Sequence, residues 1–172
     1  LYRINNEKKG FLTLDGSYKK IPFNPDSWTL SEIKIGKKPI ASNKSASIWD
    51  IGDGVACLEF HSKMNAVDND TLSMVKESSK LDKKGFKALV IGNDSNNFSA
   101  GANIGMALFA ANLAMWPILE QTFREGQSSY SALKYSSIPV VVAPSGMVLG
   151  GGCEVCLHAD FVNAHTDKCN HS

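Results

Sequence analysis

"IPVVVAPSGMVLGGGCEVCLHADFV", residues 138–162, sets three valines in a row a few positions ahead of three glycines in a row. The valine run reads as a continuous apolar strand of the kind covered on both faces in α/β proteins. Gly150, Gly151 and Gly152 then open a helical segment, GGCEVCLHA, and DFVNAH reads as a following strand. Each glycine lowers the stability of a regular element by roughly 0.5–1 kcal/mol relative to alanine. Three together mark a point where bare backbone is needed.

The same arrangement occurs earlier, in "ALVIGNDSNNFSAGAN" (88–103). In open α/β sheets, ligands sit beyond the carboxyl ends of strands, where loops and helix N-termini converge. Two glycine loops facing each other aim two backbone N–H groups at one oxygen, which is the geometry of an oxyanion hole. A glycine run is also a packing device, and on spacing alone the two readings stand level. Other glycine chemistries fail. There is no GxxxxGK[ST] and no GxGxxG after a strand, and Ser145 lacks the GxSxG elbow.

Outward from these loops, "GDGVACLEFHSKMNAV" (52–67) reads as a turn and a strand, with Val55, Cys57 and Glu59 alternating. Asp68 to Asp70 offer N-caps for a helix through about residue 84, with Leu72, Val75 and Leu81 on one side. A second buried strand follows in KALVIGN. Helical spacing resumes from Ile104, with Met106, Phe109 and Leu113 as one stripe. Pro117 starts a further helix whose apolar face carries Leu119, Phe123, Gly126, Tyr130 and Leu133. Strands alternating with helices predict an α/β fold with largely parallel pairing. Residues 1–48 differ: nine Lys/Arg stand against four Asp/Glu, with weak periodicity and short strand-like pieces such as Phe11–Leu14. They read as an arm or linker, and its charge as solvation rather than a binding site.

The 172 residues suit one domain with an appended arm. With 18 Lys+Arg against 17 Asp+Glu, the balance gives no electrostatic footprint for nucleic acid. No apolar run reaches the ~20 residues of a membrane span, and no secretory h-region follows the first residues. A soluble, cytoplasmic protein is expected. On that basis Cys57, Cys153, Cys156 and Cys169 are expected as free thiols. Cys153 and Cys156 form a nominal CxxC ahead of His158, His165, Cys169 and His171. A zinc site is disfavoured, because the pair continues an apolar helical stretch instead of a short turn.

"FSAGANI" (98–104) together with residues 138–162 resembles the crotonase superfamily, the enoyl-CoA hydratases and isomerases, in the order and spacing of two motifs. "FHSKMNAV" (60–67) fits that family's early strand and loop. "GMALFAANLAMWPILEQ" (105–121) is similar to bacterial proteins that fuse a 3-hydroxyacyl-CoA dehydrogenase to a crotonase part. The resemblance implies a crotonase-like spiral of ββα units over residues 49–172, with 1–48 as a connecting arm. It implies an acyl-CoA substrate and no cofactor beyond that coenzyme A, with no metal. It also implies that the amides of Ala102 and Gly151 hold the thioester carbonyl, and that a side chain at Gly151 obstructs it. Glu154 matches the first of two catalytic glutamates. Lys63, Ala100, Gly101 and Gly150 fall where the family meets the rest of the substrate.

Two departures accompany the match. Asn103 stands where an aspartate is usual. The second glutamate, about twenty residues after the first, has no counterpart in "NAHTDKCNHS" (163–172). By the usual scale of a single domain, about a third of the family's domain is expected to be absent, so the spiral is expected to be incomplete at its C-terminus. Two readings therefore stand open: an enzyme that hydrates or isomerises enoyl-CoA thioesters, and an inactive fragment or non-catalytic subunit. The latter pairs with a separate dehydrogenase, the missing half, or further copies of itself.

Overall fold

The computed structural model describes residues 2–5, 8–20, 29–102 and 104–165. Asn103, Cys169, His171 and the side chain of Met106 lie outside the described residues. The chain divides into two compact units, Leu1–Lys38 and Pro39–Ser172.

In the first unit, β1 (Tyr2–Asn5), β2 (Lys8–Leu12) and β3 (Tyr18–Lys20) form an antiparallel sheet in that order. The expected strand piece at Phe11–Leu14 therefore ends at Leu12. The chain turns there because Thr13 N–H and Gly16 N–H bond to Ser17 O and Thr13 O. One helical turn, α1 (Leu30–Ile33), follows, closed by a capping box between Thr29 and Glu32.

The second unit starts ten residues earlier than the boundary at 48/49 suggests. The short strand β4 (Ala41–Ser42) and β5 (Ala46–Gly52) pair antiparallel and continue into β6 (Val55–Phe60). Ala46 and Ile48 are fully buried, so this stretch belongs to the core. β7 (Ala88–Gly92), β8 (Val140–Ala143) and β9 (Phe161–Val162) add in parallel register, giving a six-stranded sheet in sequence order. Its core face carries Leu58, Phe60, Leu89, Ile91, Val140 and Val142, packed with Val75, Leu81, Leu133 and Val155 from the connections.

Burial along the strands reverses the sequence expectation. β7 and β8 alternate, with Leu89, Ile91, Val140 and Val142 fully buried and Val90 and Val141 half-buried. β6, expected to alternate, is covered on both faces. Glu59 is buried there because its carboxylate accepts a bond from Trp49 Nε1 at 3.0 Å.

The connections are α2 (Asn69–Ser78), α3 (Ile104–Asn112), α4 (Trp116–Lys134) and α5 (Gly151–Leu157). α2 stops six residues short of the predicted end. Ser78 and Ser79 bond back to Val75 O and Lys76 O, and a 3-10 turn over Leu81–Lys84 replaces the last helical turns. α4 buries only its final turns, at Ser129, Tyr130 and Leu133. Phe109, Leu113 and Phe123 are exposed, so the expected stripe on α3 and the first half of α4's apolar face do not reach the core. No helix among the described residues is long and apolar enough to cross a membrane.

The predicted cap on α2 is present. Asp68 accepts from Thr71 N–H at 2.8 Å and from Ser45 Oγ at 2.6 Å, which ties the β4–β5 turn to the helix start. Burial pushes the Asp68 carboxyl up, but the bonds from Ser45 and Thr71 outweigh it and hold the group below its usual 3.8. Asp68→Ala is expected to cost about 1 kcal/mol at neutral pH. Because the folded value is depressed, that contribution is complete above 3.8 and fades as pH falls through the lower folded value. Thermal melts of both forms across pH should show the gap in Tm closing in acid.

Candidate functional site

Three loops are stitched together at the carboxyl ends of β6, β7 and β8. The turn after β6 meets the loop after β7 through Ala100 N–H to Met64 O (3.2 Å) and Val67 N–H to Gly101 O (2.9 Å). The loop after β7 meets the loop after β8 through Ser99 N–H to Met147 O (3.1 Å) and Leu149 N–H to Ser99 O (3.0 Å). Ser99 is fully buried at the junction. Its hydroxyl donates to Asn65 O at 2.6 Å and accepts from Gly101 N–H at 3.1 Å. Neither Ser99 nor Asn65, whose amide bonds Asn97 O at 2.8 Å, was singled out from sequence.

The two glycine motifs face each other. Gly101 has φ +81°, a conformation L side chains rarely adopt. A Cβ there would lie 2.7 Å from Leu149 O and 3.2 Å from both Gly150 Cα and Gly151 N. Gly150, with φ 46° and ψ −118°, makes the sharp entry into α5. Gly151 and Gly152 are needed for space. A Cβ at Gly151 would sit 2.8 Å from the Tyr130 hydroxyl and 3.3 Å from Val67 Cγ2, and one at Gly152 would sit 2.6 Å from Ser99 Cβ. The backbone N–H groups of Ala102 and Gly151 donate to no protein acceptor among the described residues. Ala102 is exposed and bridges to Val67, while Gly151 is buried.

Glu154 lies on α5 three residues after Gly151, exposed, with its N–H bonded to Gly150 O at 3.0 Å. Tyr130 was read from sequence only as part of α4's apolar face. It is 8% exposed, and its ring stacks on His158 at a centroid distance of 5.6 Å. Burial, then the negative charge of Glu154 and the hydrogen bond donated to it, push the Tyr130 phenol above its ordinary value of 10.0. The His158 Nδ1–H donates to Glu154 O at 2.7 Å, which fixes the ring in that stack.

The remaining predicted residues sit around these loops. Ala100 is half-buried and Gly101 buried, and Lys63 is exposed in the 3-10 turn Lys63–Asn65. A polar cleft beside that turn is lined by His61, Ser62, Met64, Asn65 and Ser95–Asn97. Cys57, Cys153 and Cys156 form no disulfide among the described residues. No three His, Cys, Asp or Glu side chains among the described residues come together as metal ligands.

Comparison with protein-family profiles matches residues 50–168 to the family described as Enoyl-CoA hydratase/isomerase. A Bacillus subtilis (strain 168) protein named "Probable 3-hydroxyacyl-CoA dehydrogenase" is 40% identical over 152 residues, covering 88% of this chain and 19% of its own length. A "Crotonyl-CoA hydratase" of Syntrophomonas wolfei is 34% identical over 101 residues, covering 57% of this chain and 37% of its own. Among solved structures, an enoyl-CoA hydratase from Mycobacterium smegmatis superposes with a TM-score of 0.61 at 22% identity. It covers 74% of this chain and 49% of that one. This chain thus spans about a fifth of the long Bacillus relative and about half of the solved hydratases. With the family profile matched across both glycine loops and the α/β fold shared with the solved hydratases, the chain belongs to the enoyl-CoA hydratase/isomerase (crotonase) family.

Proposed function

We propose that this chain binds acyl-CoA thioesters and carries the carbonyl-polarising half of an enoyl-CoA hydration or isomerisation site. The observation that carries the reading is the pair of N–H groups, Ala102 and Gly151, that meet no acceptor among the described residues and sit on two glycine loops hydrogen-bonded to each other through Ser99, Met147 and Leu149. A thioester oxygen placed between them accepts both bonds. As water adds to the enoyl group, or a proton leaves the carbon beside the thioester, negative charge builds on that oxygen. Donors fixed beforehand stabilise it at no reorganisation cost, and losing one typically costs about 3–4 kcal/mol in the barrier. Glu154, one helical turn from Gly151, is the acid/base that takes the proton from water. Lys63, Ala100, Gly101 and Gly150 lie where the coenzyme A portion passes.

The test is hydration of crotonyl-CoA by the protein and by Glu154→Gln, with calorimetry against acetoacetyl-CoA. The variant is expected to keep its binding heat and lose roughly 10²–10⁴-fold in rate. Equal rates in the two proteins would remove Glu154 from the chemistry, and absence of heat would remove the thioester site.

The first unit is read as a connecting arm toward a dehydrogenase portion. The match to the Bacillus relative spans 88% of this chain, more than the second unit alone provides, so it runs into residues before Pro39. A pull-down with a separately expressed 3-hydroxyacyl-CoA dehydrogenase, with and without residues 1–38, tests that association.

A further inference from the structure

We infer that Tyr130 is a positioning residue, whose hydroxyl donates to the Glu154 carboxylate and holds it on the face of α5 that starts at Gly151. The inference rests on the acid–base reading of Glu154. Residues 151, 154 and 158 follow i, i+3, i+7 spacing and so share one face of α5. Tyr130 touches both ends of that stripe. Its hydroxyl occupies the space a Gly151 Cβ would take, at 2.8 Å, and its ring stacks on His158 at 5.6 Å. Glu154 lies between the two contacts on that face, and its negative charge is among the causes that push the phenol up. The phenol is anchored in the core at 8% exposure, whereas Glu154 is exposed. The buried partner therefore restrains the mobile one. An exposed glutamate samples several rotamers, and a misplacement of about 1 Å at a reacting group can cost ~10²-fold. The middle glycine of the run has a second purpose on this account: Gly151 leaves room for the hydroxyl that aims the carboxylate.

Among the described residues, the ionisable groups flanking Glu154 are Tyr130 from α4, Cys153 on α5 and His158 at the C-cap of that helix. Elsewhere on α4, Arg124 pairs with Glu120, Glu125 accepts from Gln121, and Lys134 lies a turn beyond Tyr130. Tyr130→Phe keeps the ring and removes the donor. With glutamate side chains labelled in the carboxyl carbon, the Glu154 resonance at neutral pH should shift between the parent and Tyr130→Phe, because one oxygen loses its donor. The kcat for crotonyl-CoA should fall about tenfold, with KM within roughly twofold. The same bond is read from the other side by labelling tyrosine Cζ. In Glu154→Gln the Tyr130 signal should move while those of Tyr18 and Tyr135 stay. That second measurement decides the matter even if Tyr130→Phe does not fold. An unmoved Glu154 resonance with an unmoved Tyr130 signal overturns the inference, and so does an unchanged kcat. If the parent hydrates nothing but both resonances move, the catalytic reading of Glu154 falls while the pairing stands.

Discussion

Alanine at position 101 is expected to abolish acetoacetyl-CoA binding while leaving most of the fold intact. The residue sits at φ +81°, where a side chain costs about 1–2 kcal/mol. The larger effect is the collision. The new methyl would stand 2.7 Å from Leu149 O and 3.2 Å from Gly151 N, and both are backbone atoms of the opposing loop. Backbone cannot swing aside as a long side chain does, so the two loops must part. A shift of about 1 Å between the opposed N–H groups costs ~10²-fold in any step that uses both. Calorimetry should show no heat, and Tm should fall by roughly 2–8 °C for a chain of this size. Gly85→Ala is the control. Its φ is +87° with nothing within 4 Å of the added carbon, so it carries the strain without the collision. Equal behaviour of the two variants would mean that the contact between the loops is unimportant.

The largest loss of stability is expected from Phe98→Ala, at about 3–5 kcal/mol. Phe98 is fully buried, its ring centroid 5.9 Å from that of the almost fully buried Phe60. Its carbonyl accepts from Asn93 Nδ2 at 3.1 Å. The phenylalanine of the FSAG motif is therefore a plug in the core, one residue ahead of Ser99. Removing it empties a cavity directly under the loop that carries Gly101 and Ala102. Urea denaturation monitored by circular dichroism should show the midpoint shift, with Phe98→Leu clearly milder. A shift below about 1 kcal/mol would mean the loop is anchored elsewhere.

The parts of this fold that were legible in the sequence are those set by local constraints. A strand, a glycine loop and a helix start recur in 88–104 and 138–157, and Asp68 caps α2 as its position before an apolar periodicity predicts. The parts that were not legible depend on what lies opposite. Tyr130 sits at helical spacing with Leu133, and a tyrosine on such a stripe looks like any core ring. Its hydroxyl acquires meaning only through Gly151 and Glu154, more than twenty residues away. Ser99 was invisible inside a glycine motif for the same reason, although the run of three glycines was a signal that something approaches each of them. Glu59 tips β6 from alternation to burial through one indole N–H from the neighbouring strand. The apolar residues of α3 mark a helix by period but do not say whether anything covers it, and here Phe109 and Leu113 face outward.

A single hydroxyl, that of Ser99, has a mechanical consequence. It clasps Asn65 and Gly101 while its own backbone spans Met147 and Leu149. The three loops are thereby one clamped body, in which saturated buried polar bonds stiffen the joint. Thermal motion of the sheet then carries the gap between the Ala102 and Gly151 amides as a whole, shifting its position far more easily than its width.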